Sequence, residues 1–289
     1  MTTDFSIKRA SFEINEQPLH YSICSDAVED IFQQKPLVVI HGFSVGYLLW
    51  EKFQMELNYP TICIDLPGCG HHPETADYYS NSNFTGSEIY VADVLNQLFL
   101  HFFPNKEPFY LLGHSMGGGI AAYWYSKKNL SLNVQKIVLC APAGFGIAQN
   151  ILQRILRLPL IGGLLMGLFG RGGLRDFANS VDIPEVSRAM LQFYEQMFEL
   201  ENFSMKALSR YYRNFRWFDL QEEAQSLGDL PTLLIWGTDD LVVPFEHSDE
   251  WVQKTESKIH VIENGYHEMQ LAHTAEVASA VIEFIKSVE

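Results

Sequence analysis

The sequence predicts an α/β fold in which helices flank a mostly parallel sheet and a helical segment interrupts their alternation. Short aliphatic runs end at glycine, as in Leu37-Val38-Val39-Ile40 before His41-Gly42, which is typical of strands buried on both faces. Beyond Ile40 such runs alternate with stretches of helical length, and this alternation requires crossovers between parallel strands. The 289 residues are 47% hydrophobic, which is enough for a packed core.

The chain begins with predicted strands and then changes to strand–helix alternation. Three strands are predicted before the change, at residues 6–14, 19–24 and 36–40. After it, strand and helix alternate over residues 61–65, 87–103, 108–112, 116–126 and 134–140. The alternation returns with two strands and a closing amphipathic helix, at residues 231–236, 257–262 and 274–288. We therefore expect one sheet assembled from both ends of the chain.

The alternation is lost between residues 145 and 227, where helices and turns rich in aromatic residues are predicted. Strands on both sides of this segment are needed to complete one sheet, so the segment is predicted to be an insertion rather than a separate domain. The predicted organisation is a core of residues 1–144 and 228–289 with a helical cap, or lid, of residues 145–227.

An uncharged apolar stretch at residues 158–169 lies inside the predicted cap, with arginines on both sides. It is shorter than the ~20 residues that span a bilayer, and its glycines and proline would interrupt a spanning helix. We expect a buried cap helix. Two alternatives stay open, namely a lining for an apolar acyl pocket and a patch that contacts a membrane surface.

Charge and cysteine usage exclude several classes of function. With 20 Lys and Arg against 35 Asp and Glu, the formal net charge is −15, which disfavours nucleic-acid binding and electrostatic docking on anionic lipid. The four cysteines form no CxxC pair and are expected to be small buried residues rather than metal ligands. No secretory signal is visible at the first residues, so a cytoplasmic protein is expected.

The residues Gly113-His114-Ser115-Met116-Gly117 match the pattern G-x-S-x-G between a predicted strand and a predicted helix. Small residues two positions from the serine permit a sharp turn that leaves Ser115 Oγ exposed above the sheet. The start of the helix then directs backbone N–H groups at developing negative charge. This placement favours a nucleophile over a structural turn serine.

A serine hydroxyl needs a base, and the base needs a third group that orients it. In the chain order Ser…Asp…His, both partners should lie on loops after later strands. The loop after residue 236 contains Asp239 and Asp240, and the loop after residue 262 contains His267.

With these motifs the chain resembles the α/β-hydrolase superfamily over nearly its whole length. Members commonly carry G-x-x-D-x-x-V-P, which maps onto residues 237–244, and G-x-x-H or G-H near the end, which maps onto His267. The segment His41-Gly42-Phe43-Ser44 is similar to the oxyanion loop of the family, and residues 65–70 are similar to its D-x-P-G-x-G segment. His71-His72 departs from the pattern that follows that segment.

The resemblance implies a role for each matching residue. Ser115 is the nucleophile, His267 is the general base and then the general acid, and Asp240 fixes the imidazole tautomer. Asp239 is the adjacent alternative, and the resemblance favours Asp240. The oxyanion hole is formed by the backbone N–H groups of Phe43 and Met116.

The resemblance also implies the reaction class. Epoxide hydrolases and haloalkane dehalogenases of the superfamily use an aspartate where this chain has Ser115, so acyl transfer to water is expected. The loop at residues 41–44 and the segment 140–144 are similar to those of monoacylglycerol-lipase-like members. We expect a small-molecule carboxylic ester with a hydrophobic acyl or aromatic group as substrate.

Two other functions remain open from the sequence. The same triad serves C–C bond hydrolases and lactonases, and a relative that binds a ligand without hydrolysing it would keep the same fold. No cofactor is expected, because neither the G-x-G-x-x-G nor the G-x-x-x-x-G-K-[ST] pattern occurs. No metal site is expected either, since the His71-His72 pair has no recognisable third ligand nearby.

Overall fold

A computed structural model of the chain contains an eight-stranded sheet with the strand order β1-β2-β4-β3-β5-β6-β7-β8. The structure describes residues 5–14, 17–26, 28–70, 84–128, 132–146, 151–200, 203, 205–217 and 219–287. The strands are β1 (Ser6–Ile14), β2 (Gln17–Ser25), β3 (Leu37–Ile40), β4 (Thr61–Ile64), β5 (Pro108–His114), β6 (Asn133–Cys140), β7 (Thr232–Gly237) and β8 (Lys258–Ile262). The first two pairings, β1 with β2 and β2 with β4, are antiparallel, and every later pairing is parallel. The predicted mostly parallel sheet is confirmed.

Helices follow most strands and pack on the sheet. They are α1 (Glu51–Leu57), α2 (Glu88–Phe102), α3 (Met116–Lys128), α4 (Ile151–Leu156), α5 (Pro159–Ser180), α6 (Pro184–Phe198), α7 (Lys206–Asn214), α8 (Gln221–Gln225), α9 (Ser248–Thr255), α10 (Met269–Ala272) and α11 (Thr274–Lys286). The predicted helices and strands agree with these bounds within a few residues, although the predicted end of the last helix at residue 288 lies outside the described residues. Helices α1, α9 and α10 are not predicted from the sequence, because each is short.

The middle strands are buried on both faces, as their sequences predict. All four side chains of β3 and all four of β4 are buried, because helices cover both sides of the sheet. In contrast, β1 at the sheet edge carries mostly exposed or half-buried side chains. The four cysteines are buried and free, which confirms their interpretation as small core residues.

Helices α4 to α8 lie between β6 and β7, within the segment predicted to form the cap. Helix α5 packs on α6 and α7, and its buried residues include Gly162, Met166 and Leu174. None of the helices in the described part of the chain is both long and apolar enough to cross a membrane.

The expectation that residues 158–169 form a buried helix is wrong. They form the first part of α5, but Leu160, Leu164 and Leu168 are exposed. The stretch is apolar around more of the helix than the single face that α6 and α7 cover, so the remainder faces outward.

An ion-pair cluster links these helices to the core. Arg216, between α7 and α8, donates from Nε to Glu88 Oε1 at 2.8 Å and from Nη2 to Glu223 Oε1 at 2.7 Å. Glu88 begins α2, and both carboxylates are buried. Because the two charges are removed from water, they need cationic partners: the guanidinium serves both, and Lys127 Nζ lies 3.7 Å from Glu223 Oε1 as a second partner of that carboxylate.

We predict that Arg216→Met lowers the free energy of unfolding by about 2 kcal/mol, because the buried Glu88 loses its cationic partner and the buried Glu223 keeps only Lys127. Arg175→Met is the control, since Arg175 also donates from Nε and Nη2, but both bonds go to the half-exposed Glu195, and its loss should cost less. Urea unfolding monitored by tryptophan fluorescence measures both. Equal midpoints for the two variants would contradict this prediction.

Candidate active site

Ser115 occupies a strained turn between β5 and α3. Its φ angle is 54°, in the left-handed region that non-glycine residues rarely adopt. The turn is held from two sides: Ser115 N–H donates to Cys140 O at 2.9 Å, and Ser115 O accepts from Ala143 N–H at 2.9 Å. A Cβ at Gly117 would lie 2.3 Å from His41 O, so the first turn of α3 requires glycine there.

Asp240 and His267 meet from two different loops. Asp240 Oδ1 accepts from the N–H groups of Val242 and Val243, each at 2.8 Å, and Oδ2 accepts from His267 Nδ1–H at 2.7 Å. Both side chains are buried. The carboxylate thereby holds the tautomer that leaves His267 Nε2 as the acceptor. Asp239 is exposed, so the structure brings Asp240 rather than its neighbour to the imidazole.

The two buried histidines at the site have pKa values shifted in opposite directions. Burial acts against the charged form of His267, but the charge and hydrogen bond of Asp240 and the charge of Glu268 outweigh it, so the pKa of His267 is raised above 6.5. His114 lies with its ring centroid 4.8 Å away and donates from Nε2 to His267 O at 3.0 Å. Burial lowers the pKa of His114 to about 4, so it stays neutral.

The loop that resembles an oxyanion loop is held by two buried groups. His41 Nδ1–H donates to Gly42 O at 2.7 Å, and Leu66 N–H donates to His41 Nε2 at 2.9 Å. Burial lowers the pKa of His41 to about 4, which keeps the ring neutral in this arrangement. Asp65 Oδ1 accepts from Tyr47 N–H at 2.6 Å, and burial raises the pKa of Asp65 to about 7.

The predicted site residues converge on one cavity of about 270 Å³. Ser115, His267 and Phe43 line it, and Met116 is the buried first residue of α3, directly after Ser115. The rest of the lining combines residues of the core with residues of the helices between β6 and β7, namely Gly42, Ser44, His114, Arg157, Leu174, Phe177, Tyr212, Trp217, Val242, Val243 and Glu268. The cavity wall is therefore largely apolar and aromatic around the serine and histidine. His71 and His72 lie outside the described residues.

Two charged residues of the cavity were missed from the sequence. Glu268 follows His267 directly and is buried, and its Oε2 accepts from Gln270 Nε2 at 2.6 Å. Its adjacency to the histidine was a signal that could have identified it. Arg157 comes from the loop between α4 and α5 and donates to Arg213 O at 3.1 Å. Nothing in its local sequence indicates that it reaches the cavity.

His114, His267 and Glu268 are the group in the described part of the chain that could hold a metal ion, with ligand atoms within 4.8 Å of one another. His267 Nδ1 is already bonded to Asp240, so a metal would have to bind Nε2. The same nitrogen is needed to accept the proton of a serine. Metal binding and base catalysis are therefore mutually exclusive at His267.

The chain is similar to known proteins over most of its length. Residues 35–274 match a family model described as alpha/beta hydrolase fold. Monoacylglycerol lipase ABHD6 of Rattus norvegicus is 28% identical over 280 residues, which cover 88% of this chain and 76% of that protein. A bromoperoxidase from Bacillus anthracis has a TM-score of 0.76 at 20% identity, covering 97% of this chain and 100% of its own. A 2-hydroxy-6-oxo-6-phenylhexa-2,4-dienoate hydrolase from Rhodococcus sp. strain RHA1 has a TM-score of 0.74 at 16% identity, covering 98% and 100%.

We predict that the His267 imidazole titrates above its ordinary pKa of 6.5 when followed by NMR of its ring protons. Asp240→Asn and Glu268→Gln should each lower the midpoint, because each removes a negative charge beside the imidazolium. Glu263→Gln is the control, since Glu263 is exposed on the same loop and should leave the midpoint unchanged.

The raised pKa of His267 also determines how the free energy of unfolding depends on pH. The contribution of His267 to the free energy of unfolding is present below pH 6.5 and is lost as the pH rises through the higher folded-state pKa. A wild-type midpoint at or below 6.5 would show that burial outweighs the two carboxylates.

Proposed function

Because this chain belongs to the α/β-hydrolase family, we propose that it hydrolyses carboxylic esters with a hydrophobic acyl or aromatic group, using Ser115, His267 and Asp240. One observation carries the proposal. Ser115 and His267 line the same largely apolar cavity, while Asp240 holds the imidazole from the opposite nitrogen at 2.7 Å. A nucleophile, a base and a base-orienting carboxylate thus occur with space for an apolar substrate.

The reaction proceeds in two acyl-transfer steps. Ser115 Oγ attacks the ester carbonyl carbon and its proton passes to His267 Nε2, while the carbonyl oxygen becomes the oxyanion. Backbone N–H groups of Phe43 and Met116 receive that oxyanion, each contributing on the order of 3 kcal/mol. The imidazolium then protonates the departing alcohol. Water, deprotonated by His267, then attacks the acyl carbon, and the imidazolium returns this proton to Ser115 Oγ as the acid leaves, with Asp240 orienting the imidazole in both steps.

The cavity wall supports an apolar acyl group. Leu174 and Phe177 of α5, Tyr212 of α7 and Trp217 all face the space beside Ser115. Burial of each acyl methylene against such a wall contributes about 0.8 kcal/mol. The name of the rat relative, monoacylglycerol lipase, fits an ester of this class.

A second candidate is hydrolysis of a C–C bond in a carboxylate-bearing substrate, or of a lactone, with the same triad. Arg157 favours the C–C reaction, because its guanidinium group in the cavity wall could bind a substrate carboxylate. Glu268 acts against it, since a buried carboxylate beside the base repels an anionic substrate at the reacting centre. No Lys or Arg among the described residues forms an ion pair with Glu268, so we place the neutral ester first.

We predict that a fluorophosphonate adds once to the wild-type protein and not to Ser115→Ala, because the reagent needs an activated serine. Ser44→Ala is the matched control, since Ser44 lines the same cavity and should not be the labelled residue. Intact-mass spectrometry reads the adduct. Ester turnover by Ser115→Ala should fall by at least about a thousandfold. If the folded wild-type protein stays unlabelled, the result would favour the alternative that this chain binds a ligand without hydrolysing it.

We predict that kcat/KM for neutral nitrophenyl esters rises by about two- to fourfold per added methylene from acetate to octanoate. Arg157→Ala should leave these rates unchanged, because neutral esters carry no group for the guanidinium. If instead a dienoate substrate is cleaved faster than any ester, and Arg157→Ala slows that cleavage at least about tenfold, the C–C hydrolase is the correct function.

A further inference from the structure

Helix α5 carries an exposed apolar patch, formed by Leu160, Ile161, Leu164, Leu168 and Phe169. Leu160 is 87% exposed, and Leu164, Leu168 and Phe169 are 64%, 66% and 66% exposed. Leu160, Leu164 and Leu168 recur every four residues, so they lie along one side of the helix. Isolated exposed leucines are ordinary, but a row of this length on one helix is typical of an interaction surface.

The apolar patch is separate from the side of α5 that packs against the rest of the protein. Helix α5 packs on α6 and α7 and buries Gly162, Met166 and Leu174, with Gly162 lying against the backbone of Leu156. A Cβ at Gly167 would contact nothing within 4 Å, so the patch faces open space. The helix therefore presents one side to the protein and a second apolar side outward.

Positive charge surrounds the apolar patch although the whole chain is acidic. Residues 151–175 contain four arginines and no acidic residue, while the net charge of the chain is −15. Arg154 and Arg171 are exposed and form no ion pair among the described residues, although the guanidinium of Arg171 also lies over the rings of Phe198 and Phe203. Arg171 follows Leu164 by seven residues and so continues the same side of α5. Arg175 is paired with Glu195, and charges beyond ~8 Å are screened at physiological salt, so Arg154 and Arg171 supply the positive charge beside the patch.

The apolar patch belongs to the same helix as part of the cavity wall. Leu174 and Phe177, further along α5, line the cavity. Across from them, Val242 lines the cavity, and its neighbour Leu241 is 88% exposed. An apolar ligand could move from a surface in contact with α5 into the cavity. On its way to Ser115 it would meet apolar side chains on both sides.

We propose that the apolar patch docks the protein on an anionic lipid surface, with α5 lying in the headgroup region. An apolar helix face inserts among the upper acyl chains while flanking arginines pair with lipid phosphates. This arrangement accounts for both unusual properties of residues 151–175, namely the exposed leucines and the absence of acidic residues. It differs from the expectation drawn from the net charge of the whole chain, because only the charges close to the docking face act on the lipid headgroups.

A second copy of the chain is the other occupant that the apolar patch could take. In a symmetric dimer the same patch meets itself, so Arg154 and Arg171 of one copy would face those of the other. Like charges at such an interface repel, whereas lipid phosphates attract them. The charge of the surroundings therefore favours the lipid surface.

The test is co-flotation of the full chain with vesicles of phosphatidylcholine alone and with 30 mol% phosphatidylglycerol. We expect binding to the anionic vesicles that weakens with added salt. Leu164→Asp should reduce the partition coefficient by about tenfold, because a charge replaces an inserted leucine. Arg154→Gln should reduce it by about fivefold. The matched controls Leu100→Asp on α2 and Arg188→Gln on α6 are exposed outside the patch and should bind like wild type.

Several outcomes would overturn the proposal: no flotation of wild type with anionic vesicles, binding that is equal on neutral vesicles and insensitive to Arg154→Gln, or binding that survives Leu164→Asp. Sedimentation equilibrium distinguishes the dimer, since self-association lost in Leu164→Asp without vesicle binding assigns the patch to a second copy. The far-UV circular dichroism and the urea unfolding midpoint of Leu164→Asp should match wild type, which shows that the variant folds. Vesicle binding is measured without turnover, so its result is independent of the proposed function.

Discussion

The first turn of α3 lies so close to the end of β3 that a Cβ at Gly117 would overlap the carbonyl oxygens of Ile40 and His41. Every other part of the site is placed relative to this contact. The turn fixes Ser115 in its left-handed conformation, with its backbone bonded to Cys140 and Ala143 after β6. The ends of β3, β5 and β6 are thereby held together at one edge of the sheet, where ligands of parallel α/β sheets generally bind.

At this edge of the sheet the pKa values of the buried histidines are shifted in directions that depend on their partners. His41 and His114 are buried with backbone partners and are held neutral by depressed pKa values. His267 is equally enclosed, but Asp240 and Glu268 lie beside it and raise its pKa. The same low-polarity surroundings therefore produce two fixed structural imidazoles and one that can take up a proton near neutral pH.

The helices between β6 and β7 form part of two surfaces, the wall of the cavity and the exposed apolar patch. Toward the core, Leu174 and Phe177 of α5 complete the cavity over Ser115, and Arg216 ties the segment to the buried Glu88. Away from the core, α5 exposes its row of leucines among arginines. Because both surfaces belong to one helix, docking at the outer face would place the cavity near the source of an apolar substrate.

The sequence by itself determined most of the sheet and three of the residues brought together at the site, because these signals are local. Buried strands need uninterrupted apolar runs, and the strand-to-helix turn at Ser115 needs small flanking residues. Tertiary structure alone decided which distant groups join them: Arg157 reaches the cavity from between two helices, and Glu268 does so because the turn at His267 directs it inward. It also decided that residues 158–169 face outward, since an apolar stretch has the same composition whether its neighbours cover it or leave it exposed.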